Sequence, residues 1–307
     1  MRIISRVRSP AVALETTLIL HGVPRGQGGP LADELGQIVR QHGASPALVG
    51  VVRGEAIVGL TQAELELLLG SEKVPKANSA NLGLLLHAKS HAATTVSTTM
   101  ELSAGAGVRV FATGGLGGVH KHLAAKLDIS ADLAAFTRYP VAVVTSGVKS
   151  LLDVEGTREV LETLGVPVIG FRTSRFPAFY LRESQAGVDG RFDNVAELAR
   201  FVDAELTRSG RGIVVCNPIP PEAELPRARW EAWLTQAEGL VTTGEGRDVT
   251  PQILARLHEV SQGETLRANL ALAKSNAALA AQLATHIYAL APHRPAFGRN
   301  LPGAGNV

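Results

Sequence analysis

Short β-prone apolar runs alternate along this chain with segments whose apolar residues recur at helical spacing. The clearest runs are Val108 to Ala112, Val141 to Thr145 and Gly212 to Cys216, and each gives way to polar, glycine or proline residues. The segment from Leu31 to Gly43 has the helical spacing. Strands that alternate with helices favour a parallel sheet covered on both faces, so the pattern predicts an α/β fold.

Polar and glycine residues follow two of these strands directly. After Val108 to Ala112 the chain continues with Thr113 and a glycine-rich loop at residues 114–118, whose backbone amides would suit an anion such as phosphate. After Val141 to Thr145 it continues with Ser146 and Gly147, and Lys149 comes soon after. In open α/β sheets the ligand crevice lies outside the carboxyl ends of the strands. The glycine loop and Lys149 are therefore expected to share one site.

Length, charge and cysteine content narrow the class of protein. A chain of 307 residues is long enough for one large α/β domain or two smaller ones. Its 30 basic and 28 acidic residues form no long block of like charge, which argues against a nucleic-acid partner. No apolar segment has the length of a membrane span, and the first ten residues lack a signal-peptide core, so we expect a cytoplasmic protein. The single cysteine, Cys216, excludes an internal disulfide and is expected in the core.

Four charged residues are further candidates for the site. Glu15 interrupts the apolar run from Ala11 to Leu20, and it either faces water on an edge strand or acts as a buried acid or base. Lys76 lies in a polar loop at residues 73–78, where composition alone predicts a surface lysine. Asp128 and Asp132 either provide a metal ligand and a helix anchor or are a helix cap and a solvated carboxylate.

Hydroxyl, aromatic and amide residues leave similar choices open. Ser97 or Thr98 is expected to cap the next helix, with substrate contact as the alternative. The aromatic cluster at residues 173–180 either stacks on a planar base or packs in the core. Asn269 and Asn276 lie on the long C-terminal helix, and because a buried amide must be satisfied, either one is a candidate to point into the site.

The chemistry that the residues support centres on a lysine. The glycine loop lacks the full dinucleotide-binding pattern, and the chain contains no P-loop, no Gly-x-Ser-x-Gly elbow and no His-Glu-x-x-His motif. A lysine is nucleophilic only when neutral, and its natural partners are carbonyl carbons, including the aldehyde masked in a sugar ring. The residues alone leave open a Schiff-base enzyme acting on a sugar phosphate and a merely solvated strand-end lysine.

Several long motifs resemble those of the pseudouridine-5′-phosphate glycosidases, the family also called indigoidine synthase A-like. The resemblance runs in register from about residue 10 to about residue 290. The segments that carry it are residues 13–17 with His21 and Gly22, 75–77, 93–100, 111–120, 128–133, 147–150 with Asp153, and 217–220.

The resemblance implies a fold and an activity. The family cleaves the carbon–carbon glycosidic bond of pseudouridine 5′-phosphate to give ribose 5-phosphate and uracil, and it forms trimers. It uses one divalent cation per subunit, typically Mn²⁺, with Mg²⁺ as another candidate. We therefore expect one α/β domain at residues 1–291, a three-layer α/β/α sandwich with a largely parallel or mixed central sheet. Residues 292–307 are expected to be a Pro/Gly-rich tail.

The resemblance also implies roles for particular residues. Lys149 matches the Schiff-base nucleophile, Glu15 the acid/base group and Asp128 the metal ligand. Residues that match substrate-binding positions are Lys76, Val96, Ser130, Ala131 and Asp132. To these we add Thr113 and His120 as phosphate ligands and Asn269 as a ligand of the substrate. The alternatives are a Schiff-base lyase or aldolase acting on another sugar phosphate and a non-catalytic nucleotide-binding protein.

Overall fold

One sheet of eleven strands runs through the described part of this computed structural model, which comprises residues 2–121, 128–240 and 249–290. The strands are β1 (Ile3–Ser5), β2 (Ala11–Glu15), β3 (Ser45–Val52), β4 (Glu55–Val58), β5 (Lys76–Ala77), β6 (Ala92–Thr94), β7 (Val110–Ala112), β8 (Ala142–Thr145), β9 (Val168–Phe171), β10 (Gly190–Phe192) and β11 (Ile213–Cys216). Their order is β1-β4-β3-β2-β7-β8-β11-β9-β10, with β6 paired to both β3 and β5.

The sheet is largely parallel, as the alternation of strands and helices predicts. Only the pairings of β3 with β4 and with β6 are antiparallel. The central strands β2, β7, β8 and β11 are buried along their whole length, because parallel sheets are covered by helices on both faces. Strand β2 lies between β3 and β7, so the edge-strand interpretation of Glu15 is wrong.

Helices cover both faces of the sheet. They are α1 (Thr16–His21), α2 (Gly28–Gln41), α3 (Gln62–Gly70), α4 (Leu82–His87), α5 (Val96–Gly105), α6 (Ala131–Ala135), α7 (Val154–Thr163), α8 (Val195–Ser209), α9 (Arg227–Leu240), α10 (Val249–Val260) and α11 (Glu264–Leu290). Helix α11 packs on β2, β7 and β8 and against α2 and α8, whereas α5 packs with α6 and also contacts β2, β3 and β7. This arrangement confirms the three-layer α/β/α architecture.

Two element boundaries differ from the prediction. The apolar run from Ala11 to Leu20 is not one strand, because β2 ends at Glu15 and α1 begins at Thr16. Helix α5 begins at Val96, so the expectation that Ser97 or Thr98 caps the next helix is wrong. The amide of Ser97 instead donates to the carboxylate of Asp132, at 3.0 Å. A carboxylate that is distant in sequence thus accepts a hydrogen bond from an amide in the first turn of α5.

Other local features follow from the same chain. Thr61 is the N-cap of α3 and forms a capping box with Glu64. Cys216 ends β11 in the core, and burial raises the pKa of its thiol, so it stays protonated. Among the described residues no helix combines the length and the hydrophobicity needed to cross a bilayer. The Pro/Gly-rich tail at residues 292–307 lies outside the described residues.

Candidate active site

The strand order reverses at β2, and a cavity opens at this point. From β2 the chain continues to β3 on one side, while β7, which comes later in the chain, pairs with its other side. Ligands of open α/β sheets bind at such a switch point, outside the carboxyl ends of the strands. The cavity measures about 380 Å³, a volume that suits a small molecule. Its lining includes Glu15, Lys76, Thr113, Lys149 and Asn269, so five of the predicted site residues share one cavity.

Glu15 is a buried carboxyl group at the centre of this site. It is 8% exposed, and the Thr113 hydroxyl donates a hydrogen bond to its Oε1 atom. Burial raises the pKa of Glu15 from 4.5 to about 7, against the lowering effects of Lys149, the Thr113 hydrogen bond and Lys76. A carboxyl group with this pKa both gives and accepts a proton near neutral pH.

Lys149 is held in a short loop beyond β8. Its amide donates to the Leu116 carbonyl at 3.2 Å, and the amide of Leu116 donates to the Gly147 carbonyl at 2.9 Å. The two loops that follow β7 and β8 are thus bonded to each other, as expected for one shared site. Lys149 is half-buried, and its charge acts on the carboxyl group of Glu15.

The glycine loop at residues 114–118 serves packing more than anion binding. The Leu116 amide donates to the Gly147 carbonyl, and the Gly117 amide donates to Asp132 Oδ2 at 2.9 Å. A Cβ atom on Gly117 would lie 2.3 Å from Ser130 Oγ, and one on Gly118 would lie 2.3 Å from a Thr157 oxygen. The hypothesis that all these amides cradle a phosphate is therefore wrong for Leu116 and Gly117. Only Gly114 and Gly115 of the loop line the cavity.

The two helical asparagines have different environments. Asn269 lines the cavity, where its Nδ2 atom donates to the Gly22 carbonyl at 3.2 Å. Its Oδ1 atom is buried without a partner among the described residues and is available to accept a hydrogen bond from a ligand. Asn276 is fully buried and bonds instead to the Thr113 carbonyl and to Asn217. It fastens the ends of β7 and β11 to α11.

The aromatic cluster at residues 173–180 is divided between core and cavity. Phe176 and Tyr180 are buried, and the Tyr180 ring lies 5.1 Å from that of Trp230. Phe179 lines the cavity, and its φ angle of 61° is in the left-handed region that non-glycine residues rarely adopt. Core packing is therefore confirmed for Phe176 and Tyr180, whereas stacking of Phe179 on a base stays a prediction.

Other predicted residues lie outside the cavity lining. Val96 and Ala131 are the first residues of α5 and α6, and Ser130 caps α6 by accepting the Asp132 amide at 3.2 Å. Asp132 is 6% exposed and joins the start of α5 to the glycine loop. Its charge also raises the pKa of Glu15.

The predicted metal ligand Asp128 lies beside His120. The two side chains are 3.9 Å apart, about a third of the Asp128 side chain is exposed, and the His120 amide donates to the Asp128 carbonyl. Within residues 2–121, 128–240 and 249–290, no three His, Cys, Asp or Glu side chains form a metal cluster. A hard cation that keeps most of its waters needs only one or two carboxylates, so an accessible Asp128 fits such an ion.

The cavity also contains residues to which sequence analysis assigned no role. Thr17, His258 and Glu259 line it, as does His21, which the motif comparison included without a role. Thr17 Oγ1 is buried without a partner in the described part of the chain. Burial and the nearby Lys76 lower the pKa of His21. No sequence motif surrounds His258. It reaches the cavity through the packing of α10, which a local pattern cannot reveal.

Comparisons with known proteins identify the family. The model of the family described as indigoidine synthase A like protein matches residues 3–286. A pseudouridine-5′-phosphate glycosidase of Solibacter usitatus is 45% identical over 91% of this chain and 95% of its own. One from Geobacillus kaustophilus is 44% identical over 91% and 94%.

Two crystal structures share the fold. An indigoidine synthase A-like protein of Thermotoga maritima has a TM-score of 0.85 and 37% identity, covering 92% of this chain and 95% of its own. The prealnumycin C-glycosynthase AlnA, solved in complex with ribulose 5-phosphate, also has a TM-score of 0.85, with 32% identity and coverage of 95% and 99%.

Proposed function

Because the chain belongs to the indigoidine synthase A-like family, we propose that it cleaves the carbon–carbon glycosidic bond of pseudouridine 5′-phosphate and releases ribose 5-phosphate and uracil. The observation that carries this proposal is the presence of a lysine and a carboxyl group of raised pKa in one cavity at the switch point of the sheet. The names of the curated relatives support the substrate, and the sugar phosphate bound to AlnA supports its class.

A carbon–carbon glycosidic bond calls for different chemistry from an ordinary glycoside. It has no leaving-group oxygen to protonate, so the usual pair of carboxylates is poorly suited. In our proposal the neutral Lys149 amine attacks C1′ of the ribose, the C1′–O4′ bond breaks, and O4′ takes up a proton. The sugar is then an open chain attached to Nζ.

Proton transfer to the base completes the cleavage. Glu15, protonated at neutral pH to a substantial extent, gives its proton to C5 of the uracil ring. The C1′–C5 bond then breaks, its electron pair restores the C5–C6 double bond, and the nitrogen lone pair forms the iminium at C1′. Water adds to the iminium and releases ribose 5-phosphate, regenerating the Lys149 amine.

Substrate contacts follow from charge and from unpaired polar atoms. Lys76 lines the cavity and provides positive charge to which we assign the phosphate. Thr17 Oγ1 and Asn269 Oδ1 are buried polar atoms that we assign to the ribose and the base. His120 as a phosphate ligand and Val96, Ser130, Ala131 and Asp132 as substrate contacts stay predictions.

The divalent cation is part of the proposal as well. Asp128 would hold it, with waters at most other positions, and Mn²⁺ or Mg²⁺ would supply positive charge that orients polar groups of the substrate. The trimeric assembly and the cytoplasmic location stay predictions from the sequence.

The first test is to trap the lysine adduct. Protein, Mn²⁺ and pseudouridine 5′-phosphate are mixed with borohydride, and intact mass and peptide mapping are measured beside free uracil. We expect a reduced ribose 5-phosphate adduct on Lys149. Lys149→Ala should form no adduct, and neither should Lys149→Arg, which keeps the charge without a reactive amine. The exposed Lys73→Ala is the matched control and should behave as wild type.

Each outcome separates reaction from mechanism. Uracil release without an adduct on Lys149 would keep the glycosidase assignment and reject the Schiff base. An adduct formed only with other sugar phosphates, such as the ribulose 5-phosphate that AlnA binds, would favour a different Schiff-base lyase or aldolase. Substrate binding without any turnover would favour a non-catalytic nucleotide-binding protein.

A further inference from the structure

His258 lines the cavity but has no part in the chemistry described so far. It comes from α10, and its ring is half-buried. One ring nitrogen, Nδ1, lies 2.8 Å from Thr265 Oγ1 at the start of α11. The other, Nε2, has no hydrogen-bond partner among the described residues. A polar atom that the protein leaves unpaired beside a cavity is available to a ligand.

We propose that His258 is a specificity-determining residue that donates a hydrogen bond from Nε2 to a carbonyl oxygen of the substrate base. The role rests on the proposed function, since it concerns the base of the same substrate. Asn269 lies four residues beyond Thr265 on α11, about one helical turn away. His258 and Asn269 both line the cavity, and the C=O and N–H groups of a uracil ring match the donor of one and the unpaired Oδ1 acceptor of the other.

The hydrogen bonds behind His258 are compatible with a ring proton on Nε2. Ser261 Oγ accepts the Thr265 amide at 3.2 Å and lies 2.9 Å from Thr265 Oγ1, compared with 3.5 Å from the His258 carbonyl. In the arrangement that this role requires, Ser261 donates to Thr265 Oγ1, the Thr265 hydroxyl donates to His258 Nδ1, and the ring proton is on Nε2.

Charge favours the base over the phosphate near His258. Burial lowers the pKa of His258, so the ring is neutral near pH 7 and offers no positive charge to a phosphate. The next residue, Glu259, also lines the cavity and carries a carboxylate paired with Arg256 at 2.7 Å. A phosphate is disfavoured beside that carboxylate, while a neutral carbonyl is not.

Steady-state kinetics on four forms of the protein test this role. The wild type, His258→Ala, His258→Gln and His286→Ala are assayed with pseudouridine 5′-phosphate, and the inhibition constant of ribose 5-phosphate, which has no base, is measured for each. We expect the KM of His258→Ala to rise about tenfold, the effect of one lost hydrogen bond, with a smaller change in kcat. The inhibition constant should not change. His258→Gln, which restores an N–H donor, should recover most of the loss.

His286 is exposed on α11 and outside the cavity lining, so His286→Ala should match the wild type. An unchanged KM in His258→Ala would overturn the assignment. An equal rise in the inhibition constant of ribose 5-phosphate would place His258 at the phosphate instead. Equal losses in the Ala and Gln variants, together with a lower Tm in both, would make the residue merely structural. If the wild type releases no uracil at all, the proposed function itself fails, and this role fails with it.

Discussion

Burial gives Glu15 its chemical character. The carboxyl group ends a strand that is covered on both sides, so water cannot stabilise its charge, and the pKa rises to about 7 although two lysines lie within electrostatic range. The same residue type on an exposed surface would be ionised at this pH. The residue type alone therefore does not reveal the acid; its depth in the sheet does.

The raised pKa predicts how Glu15 affects stability. The unfolded chain releases this proton near pH 4.5 and the folded chain only near pH 7, so the folded chain binds more protons in this window. The free energy of unfolding should therefore fall as pH rises from 4.5 to 7, by on the order of 3 kcal/mol from this group. Glu15→Gln cannot ionise, so its stability relative to wild type should increase over the same window.

Urea unfolding at pH 5 and at pH 8 measures this difference, with the same exchange at the exposed Glu222 as the control. A stability difference between Glu15→Gln and wild type that is equal at both pH values would contradict the assignment.

Activity should depend on the same proton. The proposed reaction needs Glu15 protonated, so kcat/KM should decline tenfold per pH unit above about pH 7. Glu15→Gln should lose about 10²–10⁴ in rate, and any residual activity should lack this decline. A pH profile from 5.5 to 9 tests this, and an alkaline decline that persists in the variant would assign it to another group.

Asp132 illustrates how one side chain positions an element. Its two carboxylate oxygens accept the amides of Ser97 and Gly117, which joins the start of α5 to the glycine loop after β7. Asp132→Ala should cost about 3 kcal/mol of stability because two buried amides lose a charged acceptor. Asp132→Asn, which keeps one acceptor oxygen, should cost less. Urea unfolding measures both, with the exposed Asp33→Ala as the control. Full stability combined with a raised KM would make Asp132 a substrate contact only.

Gly147 sets the path of the loop that carries Lys149. Its φ angle of 85° lies in the left-handed region, and a Cβ atom there would be 1.8 Å from the Pro177 carbonyl oxygen. Gly147→Ala should therefore lower Tm and reduce activity at least tenfold by displacing Lys149. Gly70→Ala is the matched control, because a Cβ atom there meets nothing within 4 Å at the end of α3. Normal activity in Gly147→Ala would show that this loop tolerates another path.

The elements that carry the site meet at one end of the sheet. The carboxyl ends of β2, β7, β8 and β11 all lie there, and the long helix α11 crosses behind them. Asn276 of α11 bonds to the Thr113 carbonyl and to Asn217, so strands that are far apart in sequence end at fixed relative positions. This rigidity preorganises the Glu15 and Lys149 pair, which the proposed reaction requires.

Metal dependence is a prediction for the whole molecule, because Asp128 lies outside the cavity lining. Chelation should abolish activity, and Mn²⁺ or Mg²⁺ should restore it. Titration of the free Mn²⁺ signal by electron paramagnetic resonance should give one ion per subunit in the wild type. Asp128→Ala should bind at least tenfold more weakly, while Asp33→Ala binds as wild type. Equal Mn²⁺ binding by Asp128→Ala would remove Asp128 as the ligand.

The sequence by itself determined the layers of the fold and the two residues to which the proposed catalysis is assigned. Apolar runs and helical spacing are local signals, so they predicted the parallel sheet, most helices and the strand ends that carry Thr113 and Lys149. The long motifs identified the family and, with it, Glu15 as the partner of Lys149. Burial then gave Glu15 a pKa suited to that role, which no local pattern could predict.

Only the tertiary structure decided which residues meet. Asp132 bonds to an amide 35 residues away, and the Asn269 side chain bonds to a carbonyl 247 residues away. No periodicity along the chain encodes such pairs. His258 reaches the cavity through the packing of α10, and the Leu116 and Gly117 amides are bonded within the protein instead of to an anion. Local propensity fixes the elements, whereas burial and hydrogen bonding between distant segments select the atoms left free for a substrate.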